Sequence, residues 1–181
     1  MATERAARKF AGRIHTVVKW PEAVLAKRGA EVTIFDKGLA TLVEEMFESM
    51  YAAQGIGLAA PQIALSKRIC VIDIGFQKDP KDKIALINPE VTFSEGRQVE
   101  EEGCLSLPEI REKVVRAQKV RVRAQDVTGE WFEVAGEDLL ARALLHEIDH
   151  LDGVLFIDRI SRLKRELVMR KIRKMQKNGE W

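Results

Sequence analysis

Residues 139–151 read LLARALLHEIDHL, and the reading of this run decides both the fold and the chemistry. It is apolar enough and long enough for a buried helix, and within it His146-Glu147-Ile148-Asp149-His150 spells H-E-x-x-H. Residues four apart on a helix share a face, so His146 and His150 can grip one metal ion from the same side. Glu147 lies next to the first ligand and can act as proton acceptor for an activated water. Leu139, Ala143, His146, Glu147 and His150 fall on one stripe, while the rest of the helix is mostly Leu, Ala and Ile. The bland alternative is a set of satisfied core polar groups. Against it, three ionisable groups on a buried helix need a partner, and a cation supplies one. A catalytic site of this kind takes a third ligand and keeps one position open. The chain has only three histidines, and His15 sits in a polar N-terminal stretch, so a cysteine is the better third candidate.

There are two cysteines. Cys70 lies inside an apolar run, residues 68–76 (RICVIDIGF), and reads as a small buried hydrophobe. Cys104 follows a glycine in a polar approach and precedes a proline-closed segment, Glu101-Glu102-Gly103-Cys104-Leu105-Ser106-Leu107-Pro108. A thiolate there completes a Cys-His-His site. Mixed sulfur and nitrogen ligation suits Zn(II), Fe(II), Co(II) or Ni(II) and disfavours Mg or Ca.

A third segment, Gly55-Ile56-Gly57-Leu58-Ala59-Ala60, matches the dinucleotide fingerprint only superficially. That fingerprint needs a strand before it and a helix after it. Here a helical pattern precedes it and Pro61 follows at once. The bland reading is a helix C-cap and turn. The sharper one is bare backbone open to an extended peptide, with the Gln62 amide beside it.

Around these segments the periodicity outlines the elements. Leu39, Leu42, Val43, Met46, Phe47, Met50 and Tyr51 follow one helical face, ended by the 55–57 glycines. Strands are expected at 68–76, 84–87, 91–93, 114–115 and 120–125, with Asn88-Pro89 parting the second from the third. Thr128-Gly129 fits a hairpin turn into 131–134. Gly136 and Gly153 bracket the metal helix. Strands do not alternate regularly with helices, which favours α+β: mixed, mostly antiparallel short-strand sheets around a central H-E-x-x-H helix, with a C-terminal helix. The expected organisation is a mobile basic arm at 1–13, a catalytic domain at 14–157 and a basic helix at 158–181 that belongs to the same domain.

The chain as a whole bounds the setting. At 181 residues it is large enough for one domain with a sizeable core. A net charge of +2 does not argue for nucleic acid, and no DNA partner is expected. No apolar run approaches a membrane span, and the N-terminus has no apolar signal core. Two cysteines make no disulfide framework, so the cytoplasm is the expected compartment. Residues 158–181 hold nine Lys or Arg against three Asp or Glu, a balance of +6 that leaves −4 for the rest. Such a run is usually a solvated helix face, and docking on ribosomal RNA is the sharper alternative.

GIGLAAPQ (55–62), EEGCLSLP (101–108) and HEIDHLDG (146–153) resemble, in order and spacing, the three motifs of the peptide deformylase family. The resemblance extends from about residue 24 to 160. It implies removal of the formyl group from the N-terminal methionine of newly made polypeptides, which would be the partners, with transient ribosome contact through the tail. It implies metal ligation by Cys104, His146 and His150, acid–base work by Glu147, and an oxyanion held by Gln62 and the Leu105 N–H. Backbone at Ile56, Gly57 and Gly103 would pair with the substrate chain. Ile56, Glu102 and Leu139 would line the methionine pocket, and Arg111 would stand at its mouth. The implied metal is Fe(II), replaceable by Ni(II), Co(II) or Zn(II). One position departs from the pattern: the family usually has glutamine directly before the first histidine, and here it is Leu145, one helical step off the metal stripe. Two other readings stay open at this level, another H-E-x-x-H hydrolase such as a peptidase and a non-enzymatic ribosome-binding module. The first would want a His or Glu ligand downstream of His150, where no histidine follows and the next glutamate is Glu166.

Overall fold

The computed structural model describes residues 10–181. The elements run α1 (Lys37–Ala52), β1 (Gly57–Ala59), β2 (Ile69–Ile72), β3 (Ile84–Glu95), β4 (Gln98–Cys104), β5 (Leu107–Arg116), β6 (Lys119–Gln125), β7 (Trp131–Glu137), α2 (Asp138–Leu151) and α3 (Arg162–Lys177). A five-stranded sheet in the order β1-β2-β3-β6-β7 is antiparallel throughout, and β4 and β5 form a separate antiparallel hairpin. This is the expected α+β arrangement.

The period-2 alternation of β2 explains how the sheet is sandwiched. Ile69 and Val71 face a cluster built on Leu39, Val43, Met46 and Met50 of α1. Cys70 and Ile72 face the opposite cluster, built on Ala141, Leu144, Ile148 and Leu151 of α2. All four residues of β2 are buried, as a strand covered on both sides requires. A third cluster joins Leu107, Ile110 and Val114 of β5 to Phe156, Ile157 and to Val168 and Ile172 of α3. The tail helix thus packs under the hairpin that carries Cys104. No helix among the described residues is long and apolar enough to cross a membrane.

The structure departs from the sequence reading in several places. Segments 84–87 and 91–93 are one strand, β3, because the Asn88-Pro89 break is absorbed as a bulge. Asn88 takes φ 51°, and its amide accepts from Val32 N (2.9 Å) and donates to Val32 O (2.9 Å), replacing the lost ladder bonds. The strand expected over 68–76 stops at Ile72, since the chain turns at Asp73, whose carboxylate accepts from Gln77 N at 2.9 Å. Residues 98–104 are a strand with no apolar alternation to announce it. Helix α1 is ended by Gln54 in the left-handed conformation, not by a glycine, and Gly57 belongs to β1. Gly136 lies inside β7, where a Cβ would press within 2.8 Å of Leu144; the turn into α2 falls at Asp138, with φ 50°. Gly153, with φ 74°, does end α2 as expected. Of the arm expected at 1–13, residues 1–9 lie outside the described part. Arg13 N donates to Glu45 Oε1 of α1 at 3.0 Å.

Candidate metal centre and groove

Helix α2 places the His146 and His150 rings on one side, with their Nε2 atoms 3.2 Å apart. The β4–β5 hairpin delivers the third atom: Cys104 Sγ stands 3.3 Å from His150 Nε2. The three donor atoms lie within 4.8 Å of one another. Ligands around one tetrahedral ion with bonds of about 2.0–2.3 Å would be separated by roughly 3.3–3.6 Å, so one cation fits between them. The chemistry of the set agrees. His146 Nδ1 faces Glu102 Oε2 at 3.0 Å, and a carboxylate only accepts, so Nδ1 carries a proton and Nε2 is the nitrogen turned toward the cluster. Burial opposes charging of this ring, but its hydrogen bonds to Cys104 and Glu102 outweigh it and push it well above the ordinary imidazole range, so a cation bound at Nε2 would take the place of that second proton. Burial, then the neighbouring His146, pushes His150 well below the ordinary imidazole range, which holds it neutral as ligation needs. Cys70 is on the far face of β2 from α1, fully buried, and burial pushes its thiol well up.

Behind His146 runs a chain of alternating charges. Glu102 accepts from Arg116 Nε (2.8 Å) and Nη2 (3.0 Å), and Arg116 Nη1 donates to Asp149 Oδ2 at 2.6 Å. Asp149 in turn accepts from Arg159 at 2.7 and 3.1 Å. Burial opposes ionisation of Glu102, but the hydrogen bonds from His146 and Arg116 outweigh it and bring its carboxyl down to about 2. Glu102 therefore lines the cavity as expected, yet its charged end is committed to His146 and Arg116 and not to a side-chain pocket. Arg116, Asp149 and Arg159 were missed by the sequence reading. A signal existed for Asp149, a carboxylate on a buried helix, which demands a cationic partner.

Glu147 is buried, and its Oε2 has no hydrogen-bond partner among the described residues. Burial raises its carboxyl to about 7. Gly57 lies against it: a Cβ built there would overlap the carboxylate, so the glycine is needed for close approach. Gln62 is equally buried. Its Oε1 accepts from Ala59 N (2.9 Å), which turns Nε2 toward Ser106 Oγ (3.3 Å) and Cys104 Sγ (3.6 Å). Leu145 is half-buried in the α2-side cluster, off the metal stripe.

These groups open onto a cavity of about 530 Å³. One wall is Ile56 and Gly57 at the outer edge of β1; the other is Glu101 to Cys104 of β4, a strand paired among the described residues only with β5, and Leu105 just beyond it. Leu139, Arg142 and Ala143 of α2 form the floor beside His146 and Glu147. Arg111 stands at the rim, two-thirds exposed, 3.6 Å from Glu101. The fold thus brings all twelve expected site residues to one centre and its groove.

Comparison with known proteins agrees with this geometry. Residues 14–166 match the family described as polypeptide deformylase. A peptide deformylase of Acidobacterium capsulatum is 66% identical over 168 residues, 93% of this chain and 99% of that protein. One from Heliobacterium modesticaldum is 48% identical over 147 residues, 81% of this chain and 94% of its own. The crystal structure of a peptide deformylase from Legionella pneumophila superposes with a TM-score of 0.86 at 46% identity, covering 92% of this chain and 98% of that one.

Proposed function

The chain belongs to the polypeptide deformylase family, and from that premise we propose how its own residues remove the formyl group from the N-terminal methionine of newly made polypeptides. The observation that carries the reading is the convergence of Cys104, His146 and His150 beside Glu147, at the bottom of a groove flanked by two strand edges. Those three residues would hold a divalent ion, and such an ion would supply the Lewis acidity that lowers the pKa of water and polarises a carbonyl. Fe(II) is the ion we assign, with Ni(II), Co(II) or Zn(II) as substitutes that the same donors accept.

The remaining roles follow from position. An extended peptide adds its backbone to the open edges at Ile56, Gly57 and Gly103, as strand addition does elsewhere. Ile56 and Leu139 flank the methionine side chain, with the stem of Glu102 behind them, and Arg111 meets the peptide at the rim. The Leu105 N–H and Gln62 Nε2 donate to the oxygen that gains charge as the formyl carbon becomes tetrahedral. Gln62 is suited to this because Ala59 N fixes its amide, so the donor costs no reorganisation during the reaction. Glu147 takes the proton from the attacking water and delivers it to the departing amine, leaving formate and a free N-terminus. Its carboxyl, raised to about 7 by burial, is matched to a residue that must both accept and donate near neutral pH.

Residues 14–157 are on this reading the catalytic unit, with the tail part of the same domain through Val168 and Ile172. The cytoplasm is the assigned compartment. The outer face of α3, with Leu163 and Leu167 exposed among its basic residues, is assigned to transient contact with the ribosome. The test of activity is anaerobic purification with metal analysis, followed by formate release from formyl-Met-Ala-Ser against its acetylated analogue. The formyl peptide should be turned over and the acetyl peptide spared. A metal-loaded protein that releases no formate would sink the reading.

A further inference from the structure

The charge chain behind His146 does not end in the core. It ends at Arg159, which lies beyond α2 in the turn before α3, with half of its side chain in solvent. An exposed arginine paired with an aspartate normally contributes little. Three observations set this one apart. Its fork is bidentate, with Nη2 2.7 Å from Asp149 Oδ1 and Nε 3.1 Å from Oδ2. Asp149 is itself almost buried, and Arg159 is the only hydrogen-bond partner of its Oδ1 among the described residues. The same short segment also sends Phe156 against the His146 ring, at 6.2 Å and an interplanar angle of 26°.

We propose that Arg159 is a positioning residue for the metal centre, acting on His146 through Asp149, Arg116 and Glu102. The physical route is a competition for one guanidinium. Arg116 gives Nη1 to Asp149 and Nε and Nη2 to Glu102. While Arg159 satisfies Asp149, Arg116 stays seated on Glu102. Without Arg159, the bare Oδ1 of a buried carboxylate turns to Arg116, the strongest donor in reach, and draws it away from Glu102. Glu102 Oε2, shared between Arg116 and His146 Nδ1, then loses the partner that orients it toward the imidazole. Groups that orient metal-bound histidines typically change metal affinity or activity by roughly 10- to 100-fold when removed.

This inference rests on the metal ligation proposed above, so its test reads the metal and not turnover. Zn(II)- or Co(II)-loaded protein is challenged with excess chelator, and the release rate is followed with the Co(II) absorption spectrum. R159M should release metal about tenfold faster than the unaltered protein, the low end of the roughly 10- to 100-fold range for such partners. It should also shift the Co(II) bands. R159K, which keeps the charge but not the fork, should fall between. R162M should match the unaltered protein, because among the described residues Arg162 pairs only with Glu166. In the E102Q background, R159M should add nothing, since the two act in series. Release from R159M at the unaltered rate, or effects of R159M and E102Q that simply add, would overturn the inference. If R159M does not fold, R159K alone decides: release at the unaltered rate overturns it equally. A wild-type protein that takes up no metal defeats the ligand assignment and this inference together. A metal-holding protein indifferent to residue 159 defeats this inference alone.

Discussion

Helices α2 and α3 have similar lengths, 14 and 16 residues, and both are rich in ionisable groups, yet they use them in opposite ways. In α2, Glu147, Asp149 and His150 are buried, and the charges of Asp149 and its neighbours are tied into the chain from His146 to Arg159. In α3 only Val168, Ile172 and Met175 are buried, and its ion pairs, such as Arg162–Glu166, sit in solvent. A buried charge is costly enough that it persists only with a specific partner or a chemical task, whereas a solvated one can be exchanged almost freely. The difference teaches where substitution should be felt.

The largest effect should come from Glu147→Gln. Metal content should be kept, because Glu147 lies outside the proposed ligand set, while formate release should fall by about 10,000-fold or more, the upper end of the usual range for acid–base catalysis, since in the proposed mechanism one group serves both proton steps. The matching change on α3, Glu166→Gln, should leave turnover within about twofold, because an exposed ion pair contributes little. Near-normal turnover by the metal-loaded Glu147 variant would erase the contrast. Next comes the pair of cysteines. Cys104→Ala should strip most of the metal, while Cys70→Ala should keep full occupancy and lose only about 1 kcal/mol of packing, measurable by thermal melting. Equal metal content in both variants would remove Cys104 from the ligand set.

A third test concerns the cost of the buried carboxylate without metal. Burial raises the Glu147 carboxyl from 4.5 to about 7. Below about pH 4.5 it is protonated in folded and unfolded chains alike, and it costs nothing. Between these values only the unfolded chain ionises, folding takes up a proton, and stability falls as pH rises. Above about pH 7 the full penalty is present, about 3 kcal/mol. Metal-free Glu147→Gln should therefore match the parent near about pH 4 and exceed its stability by about 3 kcal/mol near about pH 8. A constant difference across that span, by denaturant unfolding, would show that burial does not govern this group.

The smallest effect on chemistry belongs to α3. Truncating it would strip Val168 and Ile172 from a core cluster, so charge reversal is the cleaner change. Arg170, Arg173 and Lys174 replaced together by Glu should leave turnover of a short formyl peptide within about twofold, as expected for exposed charges. If α3 meets the ribosome, the same variant should sediment less with ribosomes. Its salt dependence should flatten by about 0.7–0.9 in slope for each phosphate that the helix no longer neutralises. Unchanged sedimentation across the salt series would leave α3 a structural helix.

How much of this was legible in the residues follows the range of the interactions. The shared face of His146 and His150, the neighbouring Glu147 and helices α1 and α2 were readable because helical spacing is local: a side chain four residues on lies on the same face whatever the rest of the chain does. Cys104 and Gln62 were readable from residue chemistry and from three motifs in order. The class α+β followed from the sequence of periodicities. What only the tertiary structure decided is which distant groups share a charge. Glu102 meets His146 across 44 residues, Arg116 meets Asp149 across 33, and Arg159 closes the chain from beyond the helix. The same holds for Gly57, whose missing Cβ matters only because Glu147 arrives from α2, and for Asn88, whose amide turns a broken strand into a bulged one by bonding Val32. Spacing along a helix or strand is set by backbone geometry and is written in the order of residues. The placement of the β4–β5 hairpin beside α2 is set by its packing on Phe156, Ile157 and α3 and by the pairs that Glu102 and Arg116 make with His146 and Asp149, and no local pattern encodes it.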